Sequence, residues 1–348
     1  MSVYITGTGA ALPSRVVTNA ELAPLLKVAP EWIEANSGIR ERRWAQATES
    51  TSGLAAAAVR EALGDAGIGA SDLDYLIGCT LSPDYQVPGI APLVQRRLEG
   101  CPMIPAIDLR AGCAAILYAL QLGCALIQSR AAHRIACFGA EAQSKGLDLR
   151  PASAELSMLF GDGAGALILS DRPAAIGEAR ETVLSVEDVL IETDGSFAED
   201  LIVRAPGTAN GARWIDAAQL QAGLHHGAMQ GRNVILQAVR KMSAAATRLI
   251  ERNQLSMDDI AVVIPHQANL NLLRAFGHRL SITDEKIVVN LDRYGNTSSA
   301  SAFLALSQAV REGRLPRDAY ALVVTFGAGF TWGAALCHVT NARGAGLG

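Results

Sequence analysis

The stretch IPAIDLRAGCAAILYALQLGCALI, residues 104–127, joins a short β-like run to the most apolar helical pattern in the chain. Ile116, Leu117, Leu120, Cys124 and Ile127 recur at helical spacing, and alanines fill the other faces. A helix that is apolar nearly all round belongs inside a protein. The pattern returns at residues 287–310, IVVNLDRYGNTSSASAFLALSQAV, at an offset of 183. A second pair lies upstream of each: AAAVREALGDAGIGASDLDYLI (56–77) matches SAAATRLIERNQLSMDDIAVVI (243–264) at an offset of 187, setting Ile68 against Leu255, Leu73 against Ile260 and Ile77 against Ile264. Each half then adds a glycine-rich strand, FGDGAGALIL (160–169) and FGAGFTWGAAL (326–336). Self-similar segments in the same order imply a duplicated unit with two halves packed about a pseudo-dyad. Chance likeness between alanine-rich helices is the competing reading. The repeat predicts an N-terminal half, 1–172, and a C-terminal half, 173–348, with the boundary near 170–182, where SDRPAAIGEAR carries turn chemistry.

Around these segments short β-branched runs alternate with longer helical patterns, which argues for α/β layering. Strands are expected at 74–80, 134–139, 165–169, 261–265, 286–291 and 320–326, and helices at 51–66, 113–129, 232–253, 268–279 and 298–312. The 348 residues are 50% hydrophobic and 18% charged, an ordinary globular balance that excludes disorder. The longest apolar run, Ala114 to Ile127, is broken by Gln121 and Gly123 and falls short of the roughly 18 residues a membrane span needs. A net charge of −4 with no basic block gives no footprint for nucleic acid. Six cysteines (79, 101, 113, 124, 137 and 337) without CxxC pairs read as small core residues in a reducing compartment. The N-terminal MSVYITGTGAALPSR shows no secretory pattern, so the cytoplasm is the expected location. Without HExxH or paired CxxC spacing, no metal is expected.

The repeat sets Cys113 and Asn296 at equivalent strand-to-helix turns, and His266 follows the run at 261–265. A pseudo-dyad would bring these three turns together near the centre. Cys113 stands at the first turn of the most apolar helix, where unpaired N–H groups and the dipole lower a thiol pKa. Gly112 permits the bend that presents a nucleophile. Cys113 also reads as a plain packing residue like Cys124 or Cys137. His266, in VVIPHQANLNLL, can enter a cavity or serve structure alone, with Gln267 and Asn269 adding amides beside it. Asn296, in RYGNTSSASAFLAL, also reads as a helix N-cap. Thiol, imidazole and carboxamide together supply a nucleophile, a hydrogen-bond donor or acid, and an amide donor, a set that cysteine proteases also use. Asp162 in FGDGAGA and the glycines of FGAGFTWG match neither GxxxxGK[ST] nor a GxGxxG opening a helix, so nucleotide-cofactor binding is not expected. Tight backbone approach, with an amide near Ala328 aimed into the site, is the reading they support.

Four ordered motifs, AGCAAILYAL (111–120), VIPHQANL (263–270), RYGNTSSAS (293–301) and GAGFTWGAAL (327–336), resemble β-ketoacyl-acyl-carrier-protein synthase III, a condensing enzyme of the thiolase superfamily. GTGAALPSRVVTNAEL (7–22) and EWIEANSGIRERRW (31–44) add to the likeness, which runs from about Tyr4 to Val339. CTLSPDYQVPG (79–89) and MQGRNV (229–234) look closer to divergent members that build quinolones and other secondary metabolites. The resemblance implies a thiolase-like five-layered αβαβα fold of two pseudo-dyad-related repeats, working as a homodimer. It implies that Cys113 takes an acyl group from acyl-CoA, and that a malonyl thioester, on CoA or on acyl carrier protein, loses CO₂ and attacks it to give a 3-oxoacyl product. No cofactor beyond the CoA thioester substrates is implied. His266 and Asn296 would donate to the malonyl thioester oxygen. The amides of Cys113 and Ala328 would hold the acyl oxyanion, and Phe326 would sit beside the malonyl carboxylate.

By the same resemblance, Trp32 would stack on the CoA adenine, although a lone Trp on a helix also reads as an amphipathic anchor. Gly231 and Asn269 would line the pantetheine tunnel. The common initiating synthases carry Arg at the positions of Asn36, Ala154 and Asn271 and Lys at Leu236, while Arg232 stands where Asn is usual. Those lost cations predict a changed hold on CoA and carrier protein. Val87 stands where a bulkier Phe often closes the acyl pocket from the partner subunit, which predicts room for a longer or differently shaped primer. Two other functions are weighed against condensation: a specialised ketosynthase or acyltransferase with a non-standard primer or acceptor, and a silent subunit paired with an active paralogue. Cys113 argues against the latter.

Overall fold

The computed structural model describes residues 2–173, 182–209 and 211–341. The first half begins with β1 (Tyr4–Ala11), followed by the small sheet of β2 (Val16–Thr18) and β3 (Glu41–Arg43) around α1 (Asn19–Leu26) and α2 (Pro30–Ser37). It continues through α3 (Thr51–Ala66), β4 (Tyr75–Cys79), α4 (Ile90–Arg97), β5 (Ala106–Leu109), α5 (Ala115–Gln128), β6 (Arg134–Glu141), α6 (Ala154–Ser157) and β7 (Gly163–Ser170). The second half opens with β8 (Thr182–Thr193), β9 (Leu201–Val203), α7 (Ala217–Gln221), β10 (Gly227–Met229) and α8 (Gly231–Arg252). It then runs β11 (Ile260–Pro265), α9 (Leu270–Arg279), α10 (Leu291–Tyr294), α11 (Ser301–Arg311), β12 (Tyr320–Gly327) and β13 (Thr331–Asn341).

Nine strands pair in the order β11-β12-β13-β8-β1-β7-β6-β4-β5, and β9 pairs with β10 apart from them. From its outer end inward, the first half gives β5-β4-β6-β7-β1 and the second β11-β12-β13-β8. Parallel pairs lie on the outside of each half and antiparallel pairs on the inside. The two sets meet at β1 and β8 through two residue pairs, Tyr4 with Ser185 and Ile5 with Leu184. Helices α5 and α11 each contact strands from both halves, so they form a central layer, while α3 covers the first set and α8 the second. The result is five layers, αβαβα, as the resemblance implied. Ile116, Leu117, Leu120 and Ile127 of α5 are fully buried in the central core, each worth about 1.5–3 kcal/mol of transfer from water. The all-round apolar pattern is only partly consumed, because Tyr118, Leu122, Cys124 and Leu126 stay half-exposed.

The expected strand at 286–291 does not form. Its contribution to the sheet is one bridge, Ile287 to Val263. Gln267 supplies the reason: its Nε2 donates to Val288 O at 2.9 Å, and its Oε1 accepts from Asn290 N at 2.9 Å and Leu291 N at 3.3 Å. A side chain thus takes the backbone groups that a ladder would have used.

The repeat is visible in detail. Gly69 N–H is closed by Asp72 Oδ2 at 2.8 Å, and Ser256 N–H, 187 residues on, by Asp259 Oδ2 at 2.7 Å. The central helices shift that register, however. Each begins in a 3₁₀ turn, Gly112–Ala114 and Ser298–Ala300, with left-handed φ at Gly112 (53°) and Ser298 (48°). By structure, therefore, Gly112 matches Ser298 and Cys113 matches Ser299, which corrects the sequence pairing of Cys113 with Asn296. The one-turn helix α10 takes up the extra residues. The part of the expected boundary at 174–181 lies outside the described residues.

Two glycines let the turns approach the strands. A Cβ on Gly327, at the end of β12, would stand 2.8 Å from Cys113 N, and one on Gly139 of β6 would stand 2.4 Å from Ser299 O.

Candidate active site

Cys113 lies in the elbow after Gly112 and is 9% exposed. Its Sγ is 3.6 Å from Ser298 Oγ. Burial pushes the thiol up to about 12, against a downward pull from Ser298. The expectation of a lowered thiol pKa is overturned here: protein rather than water surrounds the sulfur, and that cost for a thiolate exceeds what the helix start returns. At neutral pH the resting group is a thiol.

His266 follows β11 and is tied to β12 by its N–H donating to Val324 O at 2.8 Å. Its Nδ1 meets Ser301 Oγ at 2.5 Å. That hydroxyl also accepts Gln267 N–H at 3.3 Å. The ring can present an Nε2 proton to the cavity in the tautomer in which Ser301 Oγ donates to Nδ1. Burial holds the imidazole down to about 3, so it is a neutral donor throughout the physiological range.

Asn296 follows Gly295, whose φ is 67°. Its Oδ1 accepts Ser298 N–H at 2.8 Å, which leaves the carboxamide NH₂ as the group it can offer. Asn296 does not cap α11, which starts at Ser301; it closes the turn before that helix.

One cavity of about 280 Å³ is lined by Cys113, His266, Asn296 and Phe326 at its buried end. Trp32, Asn36, Glu155 and Arg232 line its more exposed end. Met158, Leu159, Val234, Ala238, Met242 and Leu272 give it apolar walls. Gly231 and Asn269 also line it, but both ends of the Asn269 amide are occupied: Nδ2 donates to Asn36 O at 2.8 Å and Oδ1 caps α9 through Asn271 N at 2.8 Å. Ala328 is not among the lining residues, yet its N is 3.6 Å from where a Cβ on Gly112 would stand, against the elbow. Val87 stands apart, 82% exposed.

The positions that lack cations have other work. Asn36 Nδ2 donates to Trp32 O at 2.8 Å, and Asn271 Nδ2 to Ala35 O at 3.2 Å, tying α2 to α9. Ala154 is buried, and Leu236 is exposed. Asp162, fully buried, accepts from Ala45 N at 2.7 Å and Ser144 N at 2.9 Å, which makes it a staple between loops. Among the described residues no cluster of His, Cys, Asp and Glu could hold a metal ion, and no helix is long and apolar enough to cross a membrane.

The sequence reading missed Ser298, Ser301 and the apolar walls. A signal for the serines was present: Ser298, Ser299 and Ser301 open a helix that goes on through Phe303, Leu304 and Leu306, and all are buried. Hydroxyls in such a place need partners inside the protein.

Residues 107–188 match the family model of 3-oxoacyl-[acyl-carrier-protein (ACP)] synthase III, and residues 250–339 match that of its C-terminal part. The β-ketoacyl-[acyl-carrier-protein] synthase III of Roseiflexus castenholzii is 39% identical over 334 residues, 95% of this chain and 96% of that protein. The crystal structure of β-ketoacyl-[acyl-carrier-protein] synthase III from Thermus thermophilus is 38% identical with a TM-score of 0.83, covering 96% of this chain and 98% of that one. The priming β-ketosynthase from the R1128 polyketide biosynthetic pathway is 28% identical with a TM-score of 0.82, covering 97% and 96% respectively.

Proposed function

Because the chain belongs to the 3-oxoacyl-[acyl-carrier-protein] synthase III family, we infer that it joins an acyl-CoA primer to a malonyl thioester by decarboxylative Claisen condensation. The product is a 3-oxoacyl thioester of fatty-acid or related biosynthesis. The observation that carries the reading is that a thiol, a neutral imidazole and a carboxamide, from three separate turns, line the buried end of one cavity with apolar walls.

Cys113 Sγ attacks the acyl-CoA carbonyl, the C–S bond to CoA breaks, and CoA leaves with the thiol proton. The Cys113 and Ala328 amides receive the transient oxyanion. The malonyl thioester then loses CO₂, and its enolate oxygen accepts from His266 Nε2 and Asn296 Nδ2. The enolate carbon attacks the acyl-Cys carbonyl, and the Cys113 sulfur leaves as a thiolate that takes a proton from solvent to restore the resting thiol. Phe326 keeps water from the carboxylate, so that its charge is poorly solvated and better lost as CO₂. No cofactor enters this balance. The first half, 1–172, supplies the sulfur, and the second, 173–348, the imidazole and the carboxamide.

A homodimer is our reading of the edge at β5, where Tyr85, Val87, Met103 and Ile107 are exposed beside the half-exposed face of α5. An apolar edge strand of this kind invites a second copy. Unpaired cysteines fit a reducing cytoplasm. The mouth, with Glu155, Arg232 and amides already engaged, favours a second reading in which the primer or its carrier is non-standard, as in a specialised ketosynthase.

Incubation with a panel of acyl-CoA thioesters should give an intact-mass adduct that Cys113→Ala abolishes, and malonyl-CoA or malonyl carrier protein should then release CO₂ and clear it. Absence of any adduct would overturn the condensing reading. Turnover confined to an unusual acyl group or carrier would select the second.

A further inference from the structure

Ser298 occupies the place in the second half that Gly112 occupies in the first, and keeps the same left-handed backbone with φ of 48°. A side chain in that region is uncommon and persists where its surroundings hold it. Here they do. Ser298 N–H donates to Asn296 Oδ1 at 2.8 Å. The next residue is fixed by Ser299 Oγ, 2.7 Å from Glu141 Oε1 and 3.1 Å from Cys79 O. The hydroxyl of Ser298, on a residue only 1% exposed, is thereby aimed at Cys113 Sγ, 3.6 Å away.

We propose that Ser298 is a catalytic residue whose hydroxyl donates a hydrogen bond to the Cys113 sulfur whenever that sulfur is a thiolate. A thiol can donate to the hydroxyl, but a thiolate has no proton, so the direction of the bond is then fixed as O–H to S⁻. No proton is transferred. The contact favours the thiolate as it forms to attack the primer, and again as it leaves when the enolate displaces it. A thioester sulfur is a poor acceptor, so the acyl-enzyme gains little from the bond. The proposal rests on the reading of Cys113 as the nucleophile and adds a group that touches the reacting atom.

The backbone supplies a clean variant. Ser298→Gly removes the hydroxyl, keeps the N–H that Asn296 uses, and suits a positive φ better than serine does. Glu141 of β6 and His266 after β11, the titratable groups around this turn, are untouched. The first readout is alkylation of Cys113 by iodoacetamide, followed on its own peptide by mass and needing no substrate. Its pH–rate curve should move up by about one unit in Ser298→Gly, the effect of one hydrogen bond to a charged group. Acyl loading from acyl-CoA at pH 7 should fall about tenfold, whereas CO₂ release from malonyl-CoA alone, with no primer present and so no step at the sulfur, should fall far less. An unmoved alkylation curve would overturn the proposal, and so would decarboxylation falling as far as loading, since the variant would then only have loosened the Asn296 turn. If wild type alkylates with the expected dependence on Ser298 but takes no acyl group, the condensing function fails and the sulfur contact stands.

Discussion

Burial keeps the His266 ring neutral, and its contact with Ser301 Oγ at Nδ1 leaves Nε2 as the nitrogen for the proposed donation. Removing one preorganised donor of this kind costs roughly 3 kcal/mol, about a hundredfold in rate or more. His266→Ala and Asn296→Ala should therefore cut condensation by at least that factor while Cys113 still loads, a split that single-turnover mass spectrometry resolves. The same burial shows in stability. An unfolded imidazole titrates near 6.5 and the folded one near 3. Because the folded value is the lower, the stabilising contribution is complete above about pH 6.5 and is lost as pH falls toward 3. Urea unfolding at pH 7, 5 and 4 should show a shallower decline in His266→Gln than in wild type. The histidine and the cysteine were readable from their motifs. The protonation logic was not, because it depends on Ser301 and on how deep each group sits. The thiol went the other way from its expected shift for the same reason.

Among the elements, those with period and β-branching were readable, and those that give up side chains to fit closely were not. Helix 51–66 forms with the expected ends. β1, directly beneath it, was invisible: Gly7 and Gly9 replace branched residues because a Cβ there would stand 2.3 Å from Ala62 O and 2.1 Å from Ala58 O. β13 is thinned likewise at Gly333, where a Cβ would stand 2.0 Å from Leu190 O. The cavity walls come from apolar residues scattered over 155–160, 201 and 229–242, which in sequence look like any core. The close approach at β12 makes a prediction. Gly327→Ala would press a methyl against Cys113 N and should cost about 1–3 kcal/mol of stability by overpacking. Acyl loading should fall as well, because the elbow itself must shift; thermal melts and adduct rates check the two together. Behind the same strand, Lys241 Nζ lies 3.8 Å over the Trp332 ring and 3.1 Å from Asp194 Oδ2, and Phe330 joins Phe197 to Phe326. Lys241→Met should alter tryptophan emission and slow condensation, with Lys241→Arg restoring part of both.

For the molecule as a whole, the duplication is legible because two segments repeat in order, although the spacing near the turns of Cys113 and Ser299 reads three residues short, where α10 intervenes. The exposed edge at β5 was not legible, since nothing in AIDL distinguishes an edge strand from an inner one. Ile107→Lys, on that edge at 39% exposure, should shift the protein toward monomer in sedimentation with little change in the circular dichroism of each chain. A dimer that survives the lysine would move the interface elsewhere.

The seam between the two strand sets has its own consequence. With two residue pairs joining β1 to β8, cohesion between the halves falls to side-chain packing: to the central helices, each clasped by strands from both sides, and to α1 and α2 seated against the second half. Severing the polypeptide between Pro173 and Thr182 would yield two inert fragments, one with the sulfur and one with its donors. Each would expose half of a shared interior. Co-expressed, they should find one another and recover turnover together, as a lock does when its two plates are closed.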